Sequence, residues 1–282
     1  MLNNVKTAAL LAAMGGIIMA IGGIVGRGSG GVMVGLVIAL FMVGGSYWFS
    51  DKIAIASARA QEVQEHQFPQ YFATVRDLSQ RAQIPMPRLY VAPNPQPNAF
   101  ATGRNPSHAA VCINEGLMHY LTWDEISGVL AHELAHVRNR DILTSSVAAA
   151  IAMGITFAAR MAAYGAMFGG GRGGDREGGG IADLLMIFLA PVAASIIQMA
   201  VSRSREFEAD ASAARLMGTG EPLARALEKL EIGAQRIPVH VNEAQAQSYI
   251  VNPLRRGSFA KLFSTHPTTA DRIARLRGGA WQ

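Results

Sequence analysis

A single cysteine, Cys112, stands among the 282 residues, so no intrachain disulfide can brace the fold, and a reducing compartment suits the chain. Charge is scarce as well. Asp, Glu, Lys and Arg make up 16% of the residues, against about 25% in ordinary soluble domains. Hydrophobic residues reach 50% and mean hydropathy is +0.20, which places at least part of the chain in a membrane. The net charge of +5 raises nucleic acid as a partner, but no basic patch with interleaved aromatics occurs, and nucleic-acid binding is set aside. An internal repeat is missing too, which argues against a transporter built from paired inverted halves.

Long apolar runs are abundant. Thr7 to Val25 is uncharged and, at about 1.5 Å per residue, crosses most of a ~30 Å hydrocarbon core; Gly31 to Phe49 is a second such run. Lys6 before the first run would also suit a cleaved signal peptide, but the immediate second run and the lack of a small-x-small cleavage site argue for retention. Glycines at 15, 16, 22, 23, 31 and 35 allow close approach between helices in lipid. Residues 1–50 are thus expected to form a hairpin of two spans, about 7–25 and 31–49. A second hairpin is expected over 142–201, with weaker spans at about 142–160 and 183–201. The first of these ends at Arg160, and the second carries Pro191 and Gln198, as a kinked span or a buried hairpin helix would. The Gly-rich stretch 169–180 between them cannot bury apolar surface and reads as a loop. Lys6, Lys52, Arg59, Arg203 and Arg205 lie outside the short hairpin loops, so both termini and segments 51–141 and 202–282 are expected in the cytoplasm.

The chemistry concentrates in His132-Glu133-Leu134-Ala135-His136. On a helix, residues i and i+4 share a face, so both imidazoles can ligate one Zn²⁺ while Glu133 projects toward an open coordination position. A carboxylate there can take a proton from water and return it to a leaving amine. Thr122-Trp123-Asp124-Glu125 supplies a capping box, and Ile126, Val129 and Leu130 follow at helical spacing, so the helix begins near Trp123.

The soluble segments surround this helix. From Asp51 to Gln83 the chain reads helical, with Pro69 opening a second helix whose Phe72, Val75, Leu78 and Ala82 share an apolar face. Runs at 88–91, 99–102 and 109–113, bounded by Pro, Asn and Gly, predict a small antiparallel sheet before the zinc helix. Three helices follow position 201: one through Phe207 and Ala213, one opened by Pro222, and one from Pro267 to Arg277.

Two histidines are too few for a catalytic zinc, so a third ligand is needed downstream. Glu206 and Asp210 lie at i and i+4; the first can ligate, and the second can accept the free ring N–H of a ligating histidine. They can equally be solvated partners of Arg203 and Arg205, and spacing alone favours neither reading.

Together, His132 to His136, the stretch Ser202 to Asp210, Ser264-Thr265-His266-Pro267 and the apolar runs resemble the HtpX family of membrane zinc peptidases, related to the CAAX prenyl proteases. The resemblance spans essentially the whole chain. It implies an α-helical membrane protein with a mainly α, α+β gluzincin-type catalytic domain on the cytoplasmic face of a bacterial inner membrane. Its implied substrates are misfolded or damaged membrane proteins. Carried onto this chain, it makes His132, His136 and Glu206 the ligands of one Zn²⁺, Glu133 the general base, and Asp210 the partner of His132. His266 would lie near the active site, where an imidazole can stabilise an oxyanion, or would serve only as packing at a helix start. A substrate segment is expected to add to a sheet edge near Asn98-Ala99-Phe100. A CAAX-type processing protease and a non-catalytic zinc-binding membrane scaffold are the alternatives; a scaffold's structural zinc would normally be closed by four protein ligands.

Overall fold

The computed structural model describes residues 29–145, 203–236 and 267–282, together with positions 8, 11, 12, 15, 16, 19, 147 and 250. In chain order the elements are α1 (Ser29–Ser57), β1 (Gln61–Glu62), α2 (Pro69–Ala82), β2 (Arg88–Ala92), β3 (Ala99–Gly103), β4 (Ala109–Asn114), α3 (Glu115–Tyr120), α4 (Trp123–Arg138), α5 (Arg203–Met217), α6 (Glu221–Arg236) and α7 (Thr269–Arg277).

The helix that carries both histidines, α4, forms the centre of the core. Its capping box is present: Thr122 Oγ1 accepts from the Glu125 N–H at 3.4 Å, and Glu125 accepts from the Thr122 N–H at 2.8 Å. Ile126, Val129, Leu130, Leu134 and Val137 are fully buried, because α2, α5, α6 and β3 enclose the helix. Tyr71, Val75 and Leu78 of α2 pack into the same core with Phe72 partly buried beside them, and Ala82 is buried too.

The sheet differs from the expected antiparallel one. Its order is β1-β2-β4-β3, and although β1–β2 and β3–β4 are antiparallel, β2 and β4 run parallel from Arg88↔Ala110 to Ala92↔Asn114. The link is residues 93–98, where Pro93, Pro95 and Pro97 disfavour a tight hairpin and the chain bends at Pro95 and Gln96. Six residues can reach at most about 20 Å, enough to pass one strand position at about 4.8 Å spacing and leave room for β4. Asn114 locks the crossing by donating its Nδ2 to the Gln96 carbonyl at 2.9 Å. β3 is therefore an edge strand, and it lies against α4. Pro69 does open a second helix, α2, but the helical reading of the stretch before it holds only to Ser57, where α1 ends and Arg59 takes a left-handed φ of 52° that redirects the chain into β1.

Of the expected spans, residues 31–49 fall within α1, whereas the runs at 7–25, 142–160 and 183–201 and the loop 169–180 lie largely or wholly outside the described residues. Among the described residues no helix is long and apolar enough to cross a membrane. α1 does leave Val32, Met33, Val34, Val37, Ile38, Leu40, Phe41, Trp48 and Phe49 exposed.

The contact between α4 and α6 tests this packing. A Cβ on Gly128 would sit 2.6 Å from the backbone nitrogen of Leu223, so α6 can approach α4 only across a glycine. Gly128→Ala is expected to lose about 1–3 kcal/mol through overpacking. Ser127→Ala, which removes only a hydroxyl bonded to the helix's own Trp123 carbonyl, should stay within about 0.5 kcal/mol of the parent in thermal unfolding.

Candidate metal centre

His132 and His136 project from α4 toward Glu206 on α5. The two Nε2 atoms are 3.2 Å apart, His132 Nε2 lies 3.7 Å from Glu206 Oε2, and His136 Nε2 lies 3.6 Å from Glu206 Oε1. Tetrahedral donors about 2.0–2.1 Å from a zinc ion sit roughly 3.3 Å from one another, so this triad fits a single divalent cation. Both outer ring nitrogens meet a carboxylate. His132 Nδ1 is 3.0 Å from Asp210 Oδ1, and His136 Nδ1 is 3.1 Å from Asp141 Oδ2. Such bonds hold a ring's orientation and keep its other nitrogen available to a metal.

Glu133 is buried next to the histidine pair, and its Oε2 accepts the Ala101 N–H of edge strand β3 at 2.8 Å. Burial raises its pKa above the usual carboxylate value, against the lowering effect of the neighbouring imidazoles. Glu208 points away and pairs with Arg215 at the surface. His266 lies outside the described residues.

Asp141 and Arg272 complete the centre, and neither was singled out from sequence. α4 ends at Arg138, Arg140 adopts a left-handed φ of 60°, and the reversal folds Asp141 back beneath His136. A carboxylate just past the end of a histidine-bearing helix was the available signal. Arg272, 1% exposed on α7, donates two bonds to Asp210 at 2.8 and 2.7 Å and one to the Ile250 carbonyl at 2.9 Å. The Ile250 N–H in turn donates to Asn98 Oδ1 at 3.2 Å. Three arginines on a short terminal helix read as solvated charge, so only the Arg272–Leu276 spacing of i and i+4 hinted at burial. Burial would push the Asp210 pKa up, but Arg272 and His132 bring it down to about 2. Burial disfavours a proton on His136, yet Asp141, Glu206 and Glu133 together raise its pKa to about 9.

The model of peptidase family M48 matches residues 65–280. The chain is 50% identical over 281 residues to a protein named "Protease HtpX homolog" from Pelotomaculum thermopropionicum, an alignment covering 99% of this chain and all of that one. A protein of the same name from Syntrophobacter fumaroxidans is 52% identical over 276 residues, covering 96% of this chain and 98% of its own. Among solved structures, that of S. mikatae Ste24p superposes with a TM-score of 0.51 at 19% identity, covering 96% of this chain and 65% of that one, which bears on the fold alone.

The raised His136 pKa makes metal affinity depend on pH. Protonated His136 carries hydrogens on both ring nitrogens and cannot ligate. That proton stabilises the metal-free protein fully below the unfolded value of about 6.5, and the stabilisation is lost as pH rises through about 9. Metal favours the deprotonated ring, so affinity is expected to fall about tenfold per unit as pH drops below about 9. Asp141→Asn should bind metal about 10–100-fold more weakly at high pH and show a flatter pH dependence, whereas Glu206→Ala should lose the metal. Competition with a calibrated chelator across this pH range measures all three.

Proposed function

Because the chain belongs to peptidase family M48, we propose that it is a membrane-bound, zinc-dependent endopeptidase that hydrolyses unfolded or damaged membrane proteins. The observation that carries this reading is the position of Glu133, set between the histidine pair and the free side of edge strand β3. His132, His136 and Glu206 would hold one zinc. When bound, zinc supplies Lewis-acid polarisation of the scissile carbonyl and a lowered pKa for the attacking water.

The remaining work falls to the protein. An extended substrate pairs with the outer edge of β3 near Asn98-Ala99-Phe100, through main-chain bonds that favour unfolded segments over one fixed sequence. The Glu133 carboxylate takes a proton from the attacking water and delivers it to the departing amide nitrogen. Its burial raises its proton affinity, which suits a group that must first accept and then donate. Asp210 and Asp141 hold the two imidazoles in orientation.

The bacterial inner membrane is the proposed location, with both termini and the catalytic segments cytoplasmic. The scarcity of charge, the apolar runs and the exposed apolar face of α1 support it.

Glu133→Gln is expected to keep one zinc per chain while casein cleavage falls by about 10²–10⁴-fold, since glutamine preserves shape and an acceptor for Ala101 but removes the base. Cleavage at the parental rate would overturn the enzymatic reading. Cysteines introduced at Gly28 and Gly174 should react with an impermeant thiol reagent from the periplasmic side, and one at Gly257 should not. Native Cys112 is buried and should contribute no background.

A further inference from the structure

Where the C-terminal part of α1 meets the sheet, a cavity of about 640 Å³ opens between the helix and the turn joining β3 to β4. Trp48, Phe49 and Lys52 line it from α1, Arg88 from β2, and Arg104 and His108 from the turn. Its cations are not equivalent. Arg88 is held by Asp51 at 2.8 Å, which also accounts for the carboxylate in the cavity wall. Lys52 and Arg104 form no ion pair with any described residue. They rest on ring faces instead, Arg104 4.8 Å from the Trp48 centroid and Lys52 5.4 Å from that of Phe49. A ring face positions a cation through its quadrupole but leaves its N–H groups able to donate elsewhere.

The place of this cavity along α1 indicates what those donors meet. The helix exposes Val32, Met33, Val34, Val37, Ile38, Leu40 and Phe41, and further along Trp48 and Phe49. The row ends in Trp48 and Phe49, and Lys52 follows one turn later. Apolar face, aromatic pair and then cations is the order in which a bilayer presents acyl chain, interface and headgroup.

We propose that this cavity binds the headgroup of an anionic phospholipid, with Lys52 and Arg104 donating to its phosphate oxygens and its acyl chains lying along the exposed face of α1. The proposal rests on the reading above that α1 lies in lipid. An inorganic phosphate shares the headgroup chemistry but makes no use of the ring pair or the apolar row, so a lipid is the occupant that matches the whole site. A lipid held there bridges α1 and the β3–β4 turn, and so fixes the edge strand that takes substrate relative to the membrane surface.

The test uses the full chain in detergent, titrated with phosphatidylglycerol, phosphatidylcholine or inorganic phosphate and observed by native mass spectrometry. Each Lys or Arg at an anionic lipid surface strengthens binding about fivefold. The parent should therefore bind its first phosphatidylglycerol about 25-fold tighter than phosphatidylcholine, and a Lys52→Gln/Arg104→Gln variant with unchanged zinc content should lose that preference. Equal binding of both lipids by the parent, or an undiminished preference in the variant, would overturn the proposal. Inorganic phosphate binding as tightly as phosphatidylglycerol and displacing it would overturn the lipid as occupant. Flotation with vesicles of phosphatidylcholine alone separates the two levels. A chain that fails to float refutes the membrane reading itself, whereas one that floats without headgroup preference refutes only this site.

Discussion

The fork between Arg272 and Asp210 is the interaction on which the centre depends. Both groups are buried, and the two bonds at 2.7 and 2.8 Å leave neither charge bare. Removing either partner would strand the other in the interior, typically at about 3–5 kcal/mol. The fork also transmits position. Arg272 fixes Asp210, Asp210 fixes the His132 ring, and that ring then presents Nε2 toward Glu206. Three helices, α4, α5 and α7, converge at this one point, and the Ile250 carbonyl is held by the same guanidinium. A charge pair that contributes little net stability over well-packed apolar residues thus specifies where a metal can sit.

The two imidazoles are supported alike but not equally. His132 is 2% exposed, and its carboxylate is neutralised by a guanidinium in direct contact. His136 is 16% exposed, and its carboxylate lies 3.9 Å from the Arg205 guanidinium. The acidic neighbours of His136, Asp141 first among them, raise its affinity for a proton. Glu133 lies next to both and reaches the edge strand, so one carboxylate joins the sheet directly to the histidine pair.

Local periodicity accounts for what is legible in the sequence. The i, i+4 histidines, the Thr122–Glu125 cap and the apolar positions of α2 and α6 each repeat within one or two turns, and a turn is rigid enough for spacing to imply direction. Glu206 could be placed on a helix, but its approach to α4 depends on packing between elements 70 positions apart, so spacing left it ambiguous with a solvated acid. Asp141 was hidden by a left-handed arginine, a conformation that sequence ordinarily assigns to glycine or asparagine. Arg272 was hidden because a buried arginine and a surface arginine look the same until their partner is known. The sheet was misjudged for a related reason: the strands were visible, but the proline-held link that skips a strand position is a statement about reach, which alternation of apolar residues does not encode.

The order of these parts along the chain bears on when the protein becomes capable of cutting. The histidine helix and the edge strand precede residue 139, Glu206 and Asp210 come well after them, and Arg272 follows every other described residue of the centre. Synthesis delivers them in that sequence. A nascent chain exposes its imidazoles and its base long before the guanidinium that seats them exists. An incomplete product released early would thus carry the histidine motif without the guanidinium that holds Asp210.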